Sequence, residues 1–223
     1  MPEATLRQAV NLSEDWMFLI FLFALVSLAY TRVVHPARIS RLWNSMWNIR
    51  TMRQSIREEP NTPRANFLFN MTYYLMAALV IYAAVKCFRQ EILTQFGSLF
   101  YALLVLAVFL IYLVKRVTLK AISILGDGDF SLSEYEYSVF LTNRTLGIIL
   151  LPCSAAIIYF PVYQAQTIIV ASILIVFAAV IYRLIRSLLT AAESGVTPFY
   201  ILFYICTLEI LPTALGIKWL TTI

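Results

Sequence analysis

The chain has 223 residues, of which 61% are hydrophobic and 13% charged, and its net charge is +5. Soluble domains carry about 25% charged residues, so this composition excludes an ordinary water-soluble domain and points to lipid as the solvent. The length suits a single integral membrane domain over 1–223, and the positive charge does not indicate nucleic acid, because the basic residues fall between apolar runs as membrane proteins arrange them.

A helix of about 17–25 apolar residues spans a bilayer. Six runs qualify, at about 16–34, 67–85, 97–114, 146–163, 167–182 and 199–217. Helix is the only reading for them, since each backbone group left without a partner in lipid costs several kcal/mol. The expected fold is therefore all-α, a polytopic bundle of six transmembrane helices. The first run has no basic stretch before it and no small-x-small cleavage site after it, so it reads as a retained helix rather than a signal peptide.

Between the first two runs, Ile39, Leu42, Trp43, Met46, Ile49, Met52 and Ile56 recur at helical spacing, with Arg38, Arg41, Arg50, Arg53 and Arg57 largely at other positions. The pattern predicts a basic amphipathic helix over about 37–57 at headgroup level, with Trp43 and Trp47 as anchors. Its partner is then an anionic lipid surface. The alternative is a docking face, built on Ile39, Trp43, Met46, Trp47, Arg50 and Arg53, for a membrane protein or a second copy. Thr62-Pro63 and Thr197-Pro198 each suit the start of a spanning helix, Thr at the N-cap and Pro in the first turn.

Asn70 lies one turn inside the second run and suits a hydrogen bond to another helix. Gly126-Asp-Gly-Asp-Phe130 makes a turn, and Ser131 with Glu134 has capping-box spacing, so a helix should run from about 132 into the fourth span. Asn143 and Arg144 then sit at the mouth of that span, with Arg144 expected to snorkel to the interface. Pro161-Val-Tyr-Gln-Ala-Gln166 leaves only a tight turn before the fifth run, which predicts a helical hairpin.

The last run, Phe199–Trp219, carries Glu209 at its centre and Pro212 three residues later. Burying an ionisable side chain at the bilayer midplane costs about 2.5–3.5 kcal/mol on insertion scales. Cys206, Thr213 and Gly216 share a helix face with Glu209 and form a small stripe suited to facing the bundle. No Lys or Arg is expected at its depth, so Glu209 is read as a neutral carboxyl beside the Leu208 carbonyl that Pro212 cannot satisfy. It is a candidate proton or cation site, or a structural tie within a kinked helix.

Thirteen basic residues lie in the connections at 32–66, 115–145 and 183–198, against Arg7, Lys86, Arg89 and Lys218 elsewhere. Positive-inside bias puts those connections in the cytoplasm and both termini on the opposite, periplasmic side. Cys87, Cys153 and Cys206 have no metal-type spacing and His35 is the one histidine, so neither a metal nor a cofactor is expected. Nucleophile-elbow, zinc-protease and phosphate-loop motifs are missing, which argues against an enzyme.

Two segments, Asn143-Arg-Thr-Leu-Gly-Ile-Ile-Leu-Leu-Pro152 and Phe199-Tyr-Ile-Leu-Phe-Tyr-Ile-Cys-Thr-Leu-Glu-Ile-Leu-Pro212, carry a resemblance. Together they resemble an uncharacterised integral membrane family of Bacteroidota, domain of unknown function 4271, over nearly the whole chain. The resemblance implies the inner membrane of a Gram-negative bacterium, supplies no activity, and singles out Cys206, Glu209 and Pro212. The leading expectation is a non-enzymatic component that binds or scaffolds envelope proteins. A small proton- or cation-coupled transporter using Glu209 comes second, and a lipid-modifying enzyme third.

Overall fold

The computed structural model describes residues 15–58, 63–88, 99–125 and 130–193. Those residues form seven helices: α1 (Asp15–Val34), α2 (Pro36–Trp47), α3 (Ile49–Glu58), α4 (Pro63–Phe88), α5 (Leu99–Leu125), α6 (Phe130–Tyr159) and α7 (Val162–Glu193). Five of them, α1, α4, α5, α6 and α7, are long and apolar enough to cross a membrane. The expected sixth span, 199–217, lies outside the described residues, and with it Cys206, Glu209 and Pro212.

The five long helices alternate in direction. Trp16, at the start of α1, packs its ring against Tyr82 near the end of α4 and Tyr101 near the start of α5, at 5.3 and 5.0 Å. At the other end, Leu28 of α1 joins Phe69 of α4 and Leu141 of α6. The turn expected between the fourth and fifth runs is present: the Pro161 carbonyl accepts from the N–H groups of Gln164 and Ala165 at 2.9 and 3.0 Å and opens α7.

Helices α4 and α6 form the centre and make the largest helix–helix contact. Gly147 permits it, since a Cβ there would stand 2.9 Å from the Cα of Tyr73. Small residues give close backbone approach in lipid, where helix association relies on packing rather than on a difference in hydrophobicity. Ala24, Met76, Val80, Ala83, Leu150, Ile157, Ala165 and Ile169 then join α1, α4, α6 and α7 in one cluster.

The outer helices turn apolar side chains outward. Leu103, Leu106 and Leu110 on α5 and Val170, Leu174 and Phe177 on α7 are all exposed, as expected where the surroundings are lipid. Hydroxyls inside return to their own helix: Thr72, Thr142, Thr145, Ser154 and Ser172 each donate to the carbonyl four residues earlier, at 2.8–3.0 Å. Such local bonds satisfy polar groups that lipid cannot.

The segment expected as a single amphipathic helix over 37–57 is two helices. Asn48 breaks it, with φ −123° and ψ 118° in extended backbone. Its N–H donates to the Asn44 carbonyl at 3.0 Å and closes α2. Its side-chain Oδ1 accepts from the Arg50 N–H at 3.0 Å and opens α3, the capping role for which Asn is well suited. In one continuous helix Ser45 and Ser55 would stand about 15 Å apart; here their hydroxyls meet at 3.1 Å. The two helices fold back as a hairpin, and Leu42 and Met52 are buried with Ala65, Phe69, Tyr137 and Leu141, with Ile39, Met46 and Ile56 packed alongside. The apolar stripe thus meets the chain's own bundle. Trp43 and Trp47 remain 52% and 72% exposed.

Candidate functional site

From Tyr137 to Gly147 every residue of α6 is buried, including Ser138, Thr142, Asn143, Arg144 and Thr145. A helix surrounded on all sides by protein normally carries apolar residues throughout, so this polar stretch departs from ordinary packing. Around it the bundle buries three guanidinium groups. Arg144 is 5% exposed, and Arg183 and Arg186 on α7 are each 7% exposed.

Each arginine lies within the bounds of a spanning segment, Tyr137–Tyr159 for Arg144 and Tyr163–Arg186 for the other two. Arg144 Nε donates to Asn70 Oδ1 of α4 at 3.1 Å. Arg183 Nη1 donates to Asn143 Oδ1 at 3.5 Å. Adjacent residues on α6 thus face different neighbours, since successive helical positions diverge by about 100°. Asn143 reaches α7 and Arg144 reaches α4. Asn70 joins helices as its position in the second run suggested. The expectation that Arg144 snorkels to the interface is corrected: its guanidinium is enclosed between α4 and α6 and bonded there.

Arg186 does a different job. Its Nη2 donates to the Ser45 carbonyl at 2.7 Å and approaches Met52 Sδ at 3.1 Å. Its Nη1 donates to the Met46 carbonyl and lies 3.4 Å from the Tyr182 hydroxyl, which donates to the same carbonyl. Ser45 and Met46 belong to the last turn of α2, whose carbonyls lack intrahelical donors and carry the negative end of the helix dipole. A cation from a helix some 140 residues away therefore caps α2 and holds the hairpin against α7. The Trp47 and Tyr182 rings, 6.2 Å apart, flank the joint.

A fourth guanidinium, that of Arg116 on α5, stands 5.7 Å from the ring centroid of Phe140. Three helices, α5, α6 and α7, therefore carry these four guanidinium groups. Among the described residues, no three His, Cys, Asp or Glu side chains gather as a metal site would require.

Charge counting takes Arg144, Arg183 and Arg186 alike as orientation markers, and the position of Arg144 at the mouth of its span suggests a snorkelling side chain. The available signal was spacing: Tyr182 and Arg186 are four apart and share a helix face, so the basic end of that run had a polar side directed one way. Of the other expected site residues, Ile39 and Met46 pack inside the hairpin joint, whereas Trp43, Trp47 and Arg50 are exposed.

The chain matches the model of a family described as a domain of unknown function, DUF4271, over residues 17–220. The chain belongs to that family. The match runs from the first turn of α1 through the Asn143–Arg144 segment and on past the described residues to the Glu209 run. No curated protein and no solved structure matches the chain. The family's description assigns no activity, so a role for this DUF4271 member has to be argued from its own residues.

Proposed function

We propose that this chain is a multi-pass protein of a bacterial inner membrane that works without catalysis, as a component that binds or scaffolds other envelope proteins. The α2–α3 hairpin carries this reading. Its apolar side is committed to the bundle and its last carbonyls are held by Arg186, so the opposite side is presented in a fixed orientation. That side exposes Trp43, Trp47, Arg41 and Arg50. Aromatic and arginine side chains dominate the energetics of protein interfaces, and prior ordering reduces the entropy lost on binding. Basic bias supports a cytoplasmic position for the hairpin, where anionic headgroups would surround the docking surface.

Purification of the full chain from native membranes tests this reading. Recovery of a stoichiometric membrane protein, lost on the combined change Trp43→Ser and Trp47→Ser, is the expected result. Retention of every partner by that variant would overturn it, as would recovery of the chain alone. The runner-up, a proton- or cation-coupled transporter using Glu209, meets an obstacle in the same interior. Three buried guanidinium groups raise an electrostatic barrier to a passing cation. A pH-driven cation flux in liposomes that Glu209→Gln abolishes would favour it nonetheless.

A further inference from the structure

Helix α2 is fixed at both ends to one margin of the spanning layer. Its first residue, Pro36, stands two positions after Val34, where the span of α1 ends. Its last turn is bonded to Arg186, where the span of α7 ends. A helix of 12 residues, about 18 Å long, that meets the margin at both ends lies along it. The Trp47 ring sets the depth. It stands 6.2 Å from the ring of Tyr182, about one turn inside Arg186. Indole rings are enriched at this level of a bilayer, between headgroups and acyl chains.

Charge then selects among lipids. From Arg32 to Arg57 the chain holds six arginines and no carboxylate. Arg32, Arg41 and Arg50 are exposed, as are Trp43 and Trp47. The apolar stripe of the hairpin is taken up by Phe69, Tyr137 and Leu141, so its outer side meets the leaflet with rings and guanidinium groups. A guanidinium fork matches phosphate oxygens, and each basic residue near an anionic leaflet raises affinity about fivefold.

We propose that anionic phospholipid covers the outer side of the α2–α3 hairpin, its phosphate headgroups on Arg32, Arg41 and Arg50 and its acyl chains against Trp43 and Trp47. The inference rests on the fixed hairpin of the scaffolding reading and names the lipid through which that hairpin meets a partner.

Quenching by brominated lipid tests this on the full chain in phosphatidylcholine liposomes. Trp16→Phe and Trp219→Phe leave Trp43 and Trp47 as the remaining tryptophans, and bromine on the acyl chains near the headgroup quenches an adjacent indole. Half-maximal quenching should need about one-fifth as much brominated phosphatidylglycerol as brominated phosphatidylcholine. The combined changes Arg32→Gln, Arg41→Gln and Arg50→Gln should abolish that preference. Should that variant fail to fold, high salt, which screens exposed charges, should abolish it on the unaltered arginines. Should Trp16→Phe fail to fold, the unchanged chain is compared with one carrying Trp43→Phe and Trp47→Phe, and the difference gives the same readout. Equal quenching by the two lipids overturns the proposal, as does a preference that survives loss or screening of the three charges. Absence of quenching by either lipid also overturns it and gives the outer side to another occupant. The liposomes hold no second protein, so these outcomes are separate from recovery or loss of a partner in native membranes.

Discussion

The two ends of the bundle are closed by different chemistry. Around Trp16 the closure is aromatic: Trp16, Tyr82 and Tyr101 meet ring to ring at 5.0–6.1 Å, with Phe100 and Met17 buried beside them. Around the hairpin it is cationic, with Arg144, Arg183 and Arg186 enclosed and bonded to amides and helix-end carbonyls. Ring contacts are individually modest, about 0.5–1.5 kcal/mol beyond their area, and losing one leaves no orphaned charge. A buried guanidinium and the carbonyls it serves behave otherwise, since removing one side leaves the other without its partner in a medium that supplies no water. Substitutions at the aromatic end should therefore produce graded losses, and those at the cationic end steep ones.

The steepest loss is expected for Arg186→Met. The Ser45 carbonyl loses its guanidinium donor, at about 1–3 kcal/mol for a buried group left unsatisfied, and the Met46 carbonyl keeps only the Tyr182 hydroxyl. The loss should be local, because α2 and α3 are tied to α7 at this joint. Amide exchange measured by mass spectrometry should rise across 36–58 while α4 and α6 keep their protection; an unchanged hairpin would show that Arg186 is not the clamp. Next comes Gly147→Ala, which puts a methyl group 2.9 Å from the Tyr73 Cα. That atom is backbone and can yield only if α4 and α6 separate, so a loss of about 1–3 kcal/mol is expected, read as a lower thermal midpoint in detergent. Tyr101→Phe should cost less, about 0.5–1.5 kcal/mol, for the bond its hydroxyl donates to the Leu75 carbonyl at 3.2 Å. The ring and its contacts remain in that variant.

The same contrast explains what could be read from the amino-acid order. The five described spans follow from run length, because lipid permits no other backbone solution. The tight turn at Pro161 and the α4 start at Pro63 follow from local proline chemistry. The hairpin was only half legible. Apolar spacing from Ile39 to Ile56 runs through Asn48 without interruption, and only the two capping bonds of that residue, which compete with a continuous helix, show the fold-back. The arginine cluster was less legible still. Basic residues near the ends of apolar runs usually reach for headgroups, and whether Arg144 does so or turns inward depends on Asn70, 74 positions away in sequence. Pairings of that range leave no periodic trace.

The smallest expected stability effect sharpens the comparison, because it sets one residue type in both regions. Trp16 lies at the aromatic end, half-buried between Tyr82 and Tyr101, so Trp16→Ser removes two ring contacts and should lower the thermal midpoint clearly. Trp43 sits on the outer side of the hairpin with 52% of its surface exposed. Trp43→Ser should leave stability within about 0.5 kcal/mol, as exposed substitutions usually do. If both variants lost stability alike, Trp43 would be a packing residue and the outer side of the hairpin would have no surplus anchor to offer. If Trp43→Ser keeps the midpoint and weakens retention of a partner in native membranes, the tryptophan is there for something outside the fold.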